Sequence, residues 1–423
     1  MKLKKYLILP VAASSALSLT SCGDKEAKVA EDTVASAVSA VTSDSSSFVD
    51  KSAANFKEGS FSDYSSIIEK AIQDNAGEDL PEGITSKDIL DFVGLGNISS
   101  YAQSSTPDGT EWINKMRLDN GGDHKGVLQL FNDSKYKDLA VADMAPAGTD
   151  LAMQFGINLK SVEASALAFM AKGAEEPDIA EFKKSLEQEV PMLGVTTSEL
   201  LQKLDLRLNL ALDLDPNEQL PTPVGSFDKP NLVLRLDGIS WIWDKVGAMA
   251  IGSSGLPFQK TEADGITTFS LPAEMAANFM GYSPEVRVDS AKDQIWIAST
   301  PDFLAKCTSG TNTLSSSQAY KDTMEGLPTE GQMMSYMSKD FATFISKTVG
   351  DLKEKGMLDS VDAAAKTQLD SGLAQLSKVS KGAAQVVSAD STGVSVAERG
   401  VQNIEQGLAE MQKSFAEAKK ASE

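Results

Sequence analysis

Leu204-Asp205-Leu206-Arg207-Leu208-Asn209-Leu210-Ala211-Leu212-Asp213-Leu214 places leucine at every second position. Successive side chains of a strand point to opposite faces, so this run predicts a half-buried strand with one apolar face. Downstream, Leu232-Val233-Leu234-Arg235-Leu236 predicts another strand. Asp237-Gly238 ends it, and Ile239, Ile242 and Val246 follow at helical spacing. Upstream, Leu151-Ala152-Met153-Gln154-Phe155 and Gly156 precede a helix through Leu159, Val162 and Leu167. Met333 to Met337 leads in the same way to Phe341, Phe344, Ile345, Val349 and Leu352. Asn55 to Gly59, ahead of Tyr64, Ile67 and Ile68, reads as a degenerate first copy. The unit is strand, turn, amphipathic helix. Its spacing is irregular, which excludes a solenoid.

Hairpin signals fill the intervals. Asp264-Gly265 turns Gln259–Ala263 into Ile266–Leu271, and Thr392-Gly393 sits between Gln385–Ala389 and Val394–Ala397. Val286–Val288 and Gln294–Ser299 flank a polar turn. Ile98–Ser105 and Glu111–Leu118 form strands joined around Pro107-Asp108-Gly109, and Val127–Phe131 reads as a further strand. Ser86 begins a helix through Ile89, Leu90 and Val93 that Gly94 stops. Pro177 to Pro191 spans a polar helix. Near the end, Leu369, Leu373 and Leu376 mark one helix, and Val401, Ile404, Leu408, Met411 and Phe415 mark another with heptad-like steps. The expected fold class is α+β: antiparallel sheets from hairpins, helices packed on one face, repeated strand-turn-helix units in two lobes. The expected segments are 1–21 signal peptide, 22–48 tether, 49–190 first lobe, 191–356 second lobe and 357–423 helical tail with a β-hairpin.

Composition narrows the chemistry. The 423 residues carry a net charge of −21, with one histidine, His124, and two cysteines, Cys22 and Cys307. A surface this acidic repels phosphate backbones, so no nucleic-acid partner is expected. One histidine and two cysteines exclude most histidine-based metal sites and any disulfide framework. Neither a metal nor another cofactor is expected.

The N-terminus reads as an address. Lys2, Lys4 and Lys5 precede an apolar run from Leu7 to Leu19, interrupted by Pro10. That run is shorter than the roughly 20 apolar residues a membrane-spanning helix needs, and it has the form of a secretory signal. Leu19-Thr20-Ser21-Cys22 closes it and resembles the lipobox of bacterial lipoproteins. The resemblance implies cleavage after Leu19, Thr20 and Ser21, and lipidation of Cys22. Several acyl chains hold a protein to a membrane that one chain would grip only reversibly. Gly23 after the cysteine resembles the outer-membrane-directed class. The expected location is therefore the cell envelope, lipid-anchored, at the outer membrane facing the periplasm or the surface. Loss of the three lysines takes the net charge to −24.

The body resembles an uncharacterised family of secreted bacterial proteins with a domain of unknown function. The resemblance rests on Leu232–Val246, Met333–Leu352, Gln294 through Leu304, and Ser317 through Tyr320 to Gly326-Leu327-Pro328. It implies repeated sheet-and-helix units outside the cytoplasm and brings no catalytic residue.

Site chemistry is sparse. His124 lies in Asp119-Asn120-Gly121-Gly122-Asp123-His124 and reads as an exposed turn residue. Gly252-Ser253-Ser254-Gly255 lacks the spacing of a nucleophile elbow. Asp213-Leu214-Asp215-Pro216-Asn217 imitates a calcium loop, but Glu218 and Val224 stand where its turn glycine and bidentate glutamate belong. Gly94-Leu95-Gly96 is a helix stop. Cys307 reads as a small buried thiol. Trp241 and Trp243, with Met324, Met333, Met334 and Met337, are core filler or the lining of an apolar cavity. The expected function is a non-enzymatic, membrane-tethered binding or scaffold module with an envelope protein partner. The alternatives are a carrier of a lipid or other apolar ligand, and a hydrolase with an unrecognised carboxylate site.

Overall fold

The computed structural model describes residues 48–407, apart from 63–64, 66–67, 70–71, 74–82, 122–124, 223–224, 254, 273, 276–278, 280 and 360–362. Two compact units share the chain. One holds residues 48–132, 343–380 and 387–407, and the other holds 133–342 and 381–386. The fold class is α+β, and every strand pairing with a described register is antiparallel.

The first unit begins with strand β1 (Lys57–Ser60) and helix α1 (Ser86–Val93). Thr85 starts α1: its side chain accepts from the Asp88 N–H, and the Asp88 carboxylate accepts from the Thr85 N–H at 2.9 Å. This reciprocal cap satisfies two donors that helix geometry leaves free. Gly94, at φ 98°, ends the helix in the left-handed region open to glycine. Strands β2 (Ser100–Asp108) and β3 (Glu111–Asp119) form a hairpin. Pro107 remains in β2 opposite Trp112, so the turn sits on Gly109-Thr110. The run after Gly126 is helix α2 (Gly126–Asn132) and not the expected strand. Leu128 and Phe131, three apart, are both buried, and a short apolar run alone cannot tell a strand from one helical face. Gly126, at φ 62°, approaches α1 so closely that a Cβ there would lie 2.0 Å from the Phe92 carbonyl oxygen.

The second unit contains α3 (Ala140–Met144), β4 (Leu151–Asn158), α4 (Val162–Gly173), α5 (Glu176–Leu186), the small hairpin β5 (Glu189–Val190) and β6 (Val195–Thr196), and α6 (Thr197–Lys203). The long strands β7 (Asp205–Thr222) and β8 (Gly225–Asp237), helix α7 (Ser240–Ser253), and β9 (Gln259–Ala263) with β10 (Ile266–Ser270) come next. Then follow β11 (Glu285–Asp289), β12 (Gln294–Ala298), α8 (Pro301–Thr308), α9 (Gln318–Met324) and β13 (Met333–Ser338). Its sheet runs β13-β4-β7-β8-β12-β11-β10-β9. The unit boundaries fall inside α10 (Lys339–Glu354) and inside β14 (Gly382–Asp390). Helix α11 (Ala363–Leu376) and strand β15 (Gly393–Gly400) return to the first unit, where β15 pairs with β3.

Arginines stitch the first unit together. Arg117 donates to Asp390 through both Nη atoms at 2.8 Å and to Asp119 through Nε at 3.1 Å. The paired guanidinium holds the Asp390 carboxyl far below the usual carboxylate range. Arg399, fully buried, pairs with Asp108 and Glu111.

Candidate functional site

The two faces of the second unit's sheet are unlike. On one face, Ala152 and Gln154 of β4, Arg207, Asn209 and Ala211 of β7, Val233, Arg235 and Asp237 of β8, and Trp296 and Ala298 of β12 are all buried. Helices α3, α8 and α9 cover this face through Val141, Met144, Phe303, Leu304 and Tyr320. The leucine alternation of β7 thus has an unexpected outcome. Its polar-looking residues Arg207 and Asn209 are the buried ones, and Leu206, Leu208, Leu210, Leu212 and Leu214 are only half-buried.

Buried polar groups need partners, and here the sheet itself and the loop over it supply them for Asp237, Arg207 and Gln154. Asp237 Oδ2 accepts from Arg207 Nε at 2.7 Å, Asn209 Nδ2 at 3.1 Å and Arg235 Nη2 at 3.2 Å. Arg207 Nη1 also donates to Asp138 at 2.8 Å, and its guanidinium lies 4.6 Å from the Tyr136 ring centroid. Arg235 lies 5.3 Å from the Trp296 ring. Gln154 Nε2 donates to the Asp138 carbonyl oxygen at 2.7 Å, and its Oε1 accepts from the Val141 N–H at 3.2 Å. Residues 133–141 are thereby pinned over β4 and β7. Gly238, at φ 90°, permits this: a Cβ there would fall 2.3 Å from the Asp205 carbonyl oxygen and 2.8 Å from Tyr136 Oη.

The opposite face is apolar across neighbouring strands. Met153, Leu210, Leu234 and Ile297 lie side by side in register, as do Phe155, Leu208, Leu236 and Ile295. Met333 and Met337 of β13 extend the rows beside Phe155 and Leu151. Helix α7 covers only one side of this surface, where Trp243 and Ile251 pack with Phe269, Val286, Val288 and Ile295. Over β4 and β8 the face is open, with Met153 at 45% and Leu232 at 36% exposure. Two helices of the unit are apolar without a dominant face. Helix α4 carries Val162, Leu167, Phe169 and Met170 but buries no residue, and Met249 of α7 is 49% exposed. A helix that is apolar all round is ordinarily enclosed on all sides. Here apolar surface is left half-covered.

A pair of carboxylates, Asp150 and Asp213, lies at the start of β4. Asp150 accepts from the Leu214 N–H at 2.9 Å and from Ser338 Oγ at 2.7 Å, and Ser338 Oγ accepts from the Phe341 N–H at 3.0 Å. Burial raises the Asp150 pKa. Burial, then the charge of Asp150, pushes Asp213 up to about 6, opposed by Lys306. Asp150 is thereby committed to joining β4, β7 and the start of α10.

The residues expected to carry chemistry are dispersed. Leu19, Thr20, Ser21, Cys22 and His124 lie outside the described residues, as does the part from Leu408 onward of the helix expected through Val401, Ile404, Leu408, Met411 and Phe415, of which residues 404–407 are helical. Cys307 is buried in the covered face, and burial pushes its thiol up to about 12. Asp215 accepts from the Asn217 N–H at 2.9 Å inside β7, next to a register shift, so its carboxylate serves a local turn. Among the described residues, no group of three or more His, Cys, Asp or Glu side chains is placed to hold a metal ion. No described helix is long and apolar enough to cross a membrane. Met334 lies on the covered face, while Met333 and Met337 lie on the open one, so the methionines do not line one cavity. Sequence reasoning missed the buried Arg207, Asn209, Arg235 and Asp237. Their only signal was their alternation with leucine, and that pattern is the same whichever face is covered. The chain matches no known protein-family model, no curated protein and no solved structure.

Proposed function

We propose that the protein is a lipid-anchored, non-catalytic binding module of the cell envelope whose second unit takes up an apolar ligand. The open leucine face carries this reading: aligned rows of Leu, Met and Phe from β13, β4, β7 and β8 remain half-exposed. Large contiguous apolar patches on soluble proteins mark interaction sites. The adjacent apolar helices α4 and α7 supply further surface of the same kind. Tethering through Cys22 at the outer membrane is supported by Leu19-Thr20-Ser21-Cys22 and by Gly23.

Native mass spectrometry of the protein purified from its own host, paired with titration of the uncharged fluorophore N-phenyl-1-naphthylamine, tests the ligand. A co-purifying apolar molecule and fluorophore uptake are expected, with uptake abolished in Leu210→Asp. A body that carries no such molecule and leaves the fluorophore unchanged refutes the reading. Cys22→Ala is expected to abolish incorporation of labelled palmitate and to release the protein from membranes. Persistence of label in that variant would remove the anchor from the proposal.

A further inference from the structure

Strand β9 (Gln259–Ala263) ends the sheet of the second unit, and all five of its residues are exposed. It pairs on one side with β10 through the two-residue turn Asp264-Gly265, whose φ values of 53° and 77° are those of a type I′ hairpin. Such a turn is closed by a hydrogen-bonded pair, here Ala263 with Ile266. Alternation then makes Thr261–Thr268 and Gln259–Ser270 the other hydrogen-bonded pairs. The N–H and C=O groups of Lys260 and Glu262 therefore point away from β10. Among the described residues no backbone hydrogen bond reaches them. Unpaired edge groups of this kind are a template for another strand.

The sequence of β9 selects the partner. We propose that this edge pairs with the same edge of a second copy of the chain, antiparallel about a two-fold axis at Thr261. In that register Lys260 stands opposite Glu262 of the second copy, and Glu262 opposite its Lys260. Gln259 stands opposite Ala263, and the two Thr261 residues face each other. The hydrogen-bonding phase agrees with the charge pattern. Lys260 and Glu262, whose peptide groups point outward, become the hydrogen-bonded pairs, for about four backbone hydrogen bonds in all. Thr261, whose peptide groups serve β10, becomes the non-bonded central pair. The charged side chains match as well: Lys260 and Glu262 already form an ion pair within one strand, and pairing closes it into an alternating ring of four charges. Opposite charges and facing threonines both favour cross-strand pairing. Because a two-fold contact is closed, it yields a dimer and not a filament.

The test uses the full chain carrying Cys22→Ser in detergent, where the buried Cys307 is the remaining native thiol. Sedimentation should show concentration-dependent dimers. Lys260→Glu puts like charges opposite each other and should weaken dimerisation about tenfold, and the double swap Lys260→Glu/Glu262→Lys should restore it. Glu262→Pro removes an outward N–H that the fold does not use and should abolish dimers while leaving circular dichroism unchanged. Facing residues at a non-bonded pair stand about 4.5 Å apart between Cα atoms, within disulfide reach. Thr261→Cys should therefore cross-link on oxidation, and Gln259→Cys should not. A strictly monomeric parent, dimers indifferent to Glu262→Pro, a charge swap that fails to rescue, or equal cross-linking at both positions would each overturn the proposal.

Discussion

The two faces of the second unit's sheet show that burial follows coverage and not polarity alone. The covered face holds Arg207, Arg235, Asp237, Asn209 and Gln154 in a buried layer on the side covered by α3, α8 and α9. The open face holds the leucines of β7 and β8, the residues that hydropathy would have placed inside. Charges tolerate the interior because Asp237 takes three donors and residues 133–141 reach down to Arg207 and Gln154. Leucines tolerate partial exposure because apolar surface in water is penalised by area, at about 25 cal/mol per Å², without the larger cost of an unpaired charge.

The sharpest way to break this contrast is Asp237→Ala. Two buried guanidinium groups would lose their shared carboxylate, and removing one partner of a buried ion pair costs about 3–5 kcal/mol. Urea unfolding of the full chain should show a loss of that size. A loss below about 1 kcal/mol would mean that the covered face is wetter than its burial indicates. Leu304→Ala, in the fully buried core beside it, should cost about 2–5 kcal/mol.

Acidity separates the faces next. Asp213, on the strand that carries both faces, has its pKa raised from 3.8 to about 6. The folded state keeps a proton that the unfolded chain releases. The associated stability is therefore complete below about pH 4 and is lost as pH climbs through about 6. Solvent screens this partly exposed group, so Asp213→Asn should gain on the order of 1 kcal/mol at pH 7.5 and flatten the pH profile of unfolding. An unchanged profile would mean that the carboxylate is solvated.

The open face should respond least in stability and most in binding. Leu210→Ala is expected to cost about 1 kcal/mol, and Leu232→Ser within about 0.5 kcal/mol, while both reduce uptake of the apolar fluorophore. If Leu210→Ala instead costs as much as Leu304→Ala, the leucine face is a closed core and the distinction fails.

Local chemistry was legible wherever a few adjacent residues decide the backbone. Asp264-Gly265 stands between β9 and β10, Thr392 lies between β14 and β15 with Gly393 opening β15, and Gly94 ends the helix that begins after Thr85. In these places turn dihedrals and capping hydrogen bonds are satisfied within a handful of residues. Val127–Phe131, four apolar residues around Gln129, is too short to fix either period, and only packing chose the helix. The candidate site was half legible. The apolar rows were visible strand by strand, but the alignment of Met153, Leu210, Leu234 and Ile297 depends on register between strands up to 144 residues apart.

The sequence by itself determined most strand and helix periods, the hairpin turns, the excess of negative charge and the basic-then-apolar pattern of the N-terminus, because these depend on residue type and short spacing. Tertiary structure decided which face of β7 is covered, which distant strands pair with β4 and β3, and which segments return to the first unit. Alternation states only that two faces differ. Which of them is covered depends on where the covering loop and helices find hydrogen-bond partners, and residues 133–141 find theirs on the face of Arg207 and Gln154.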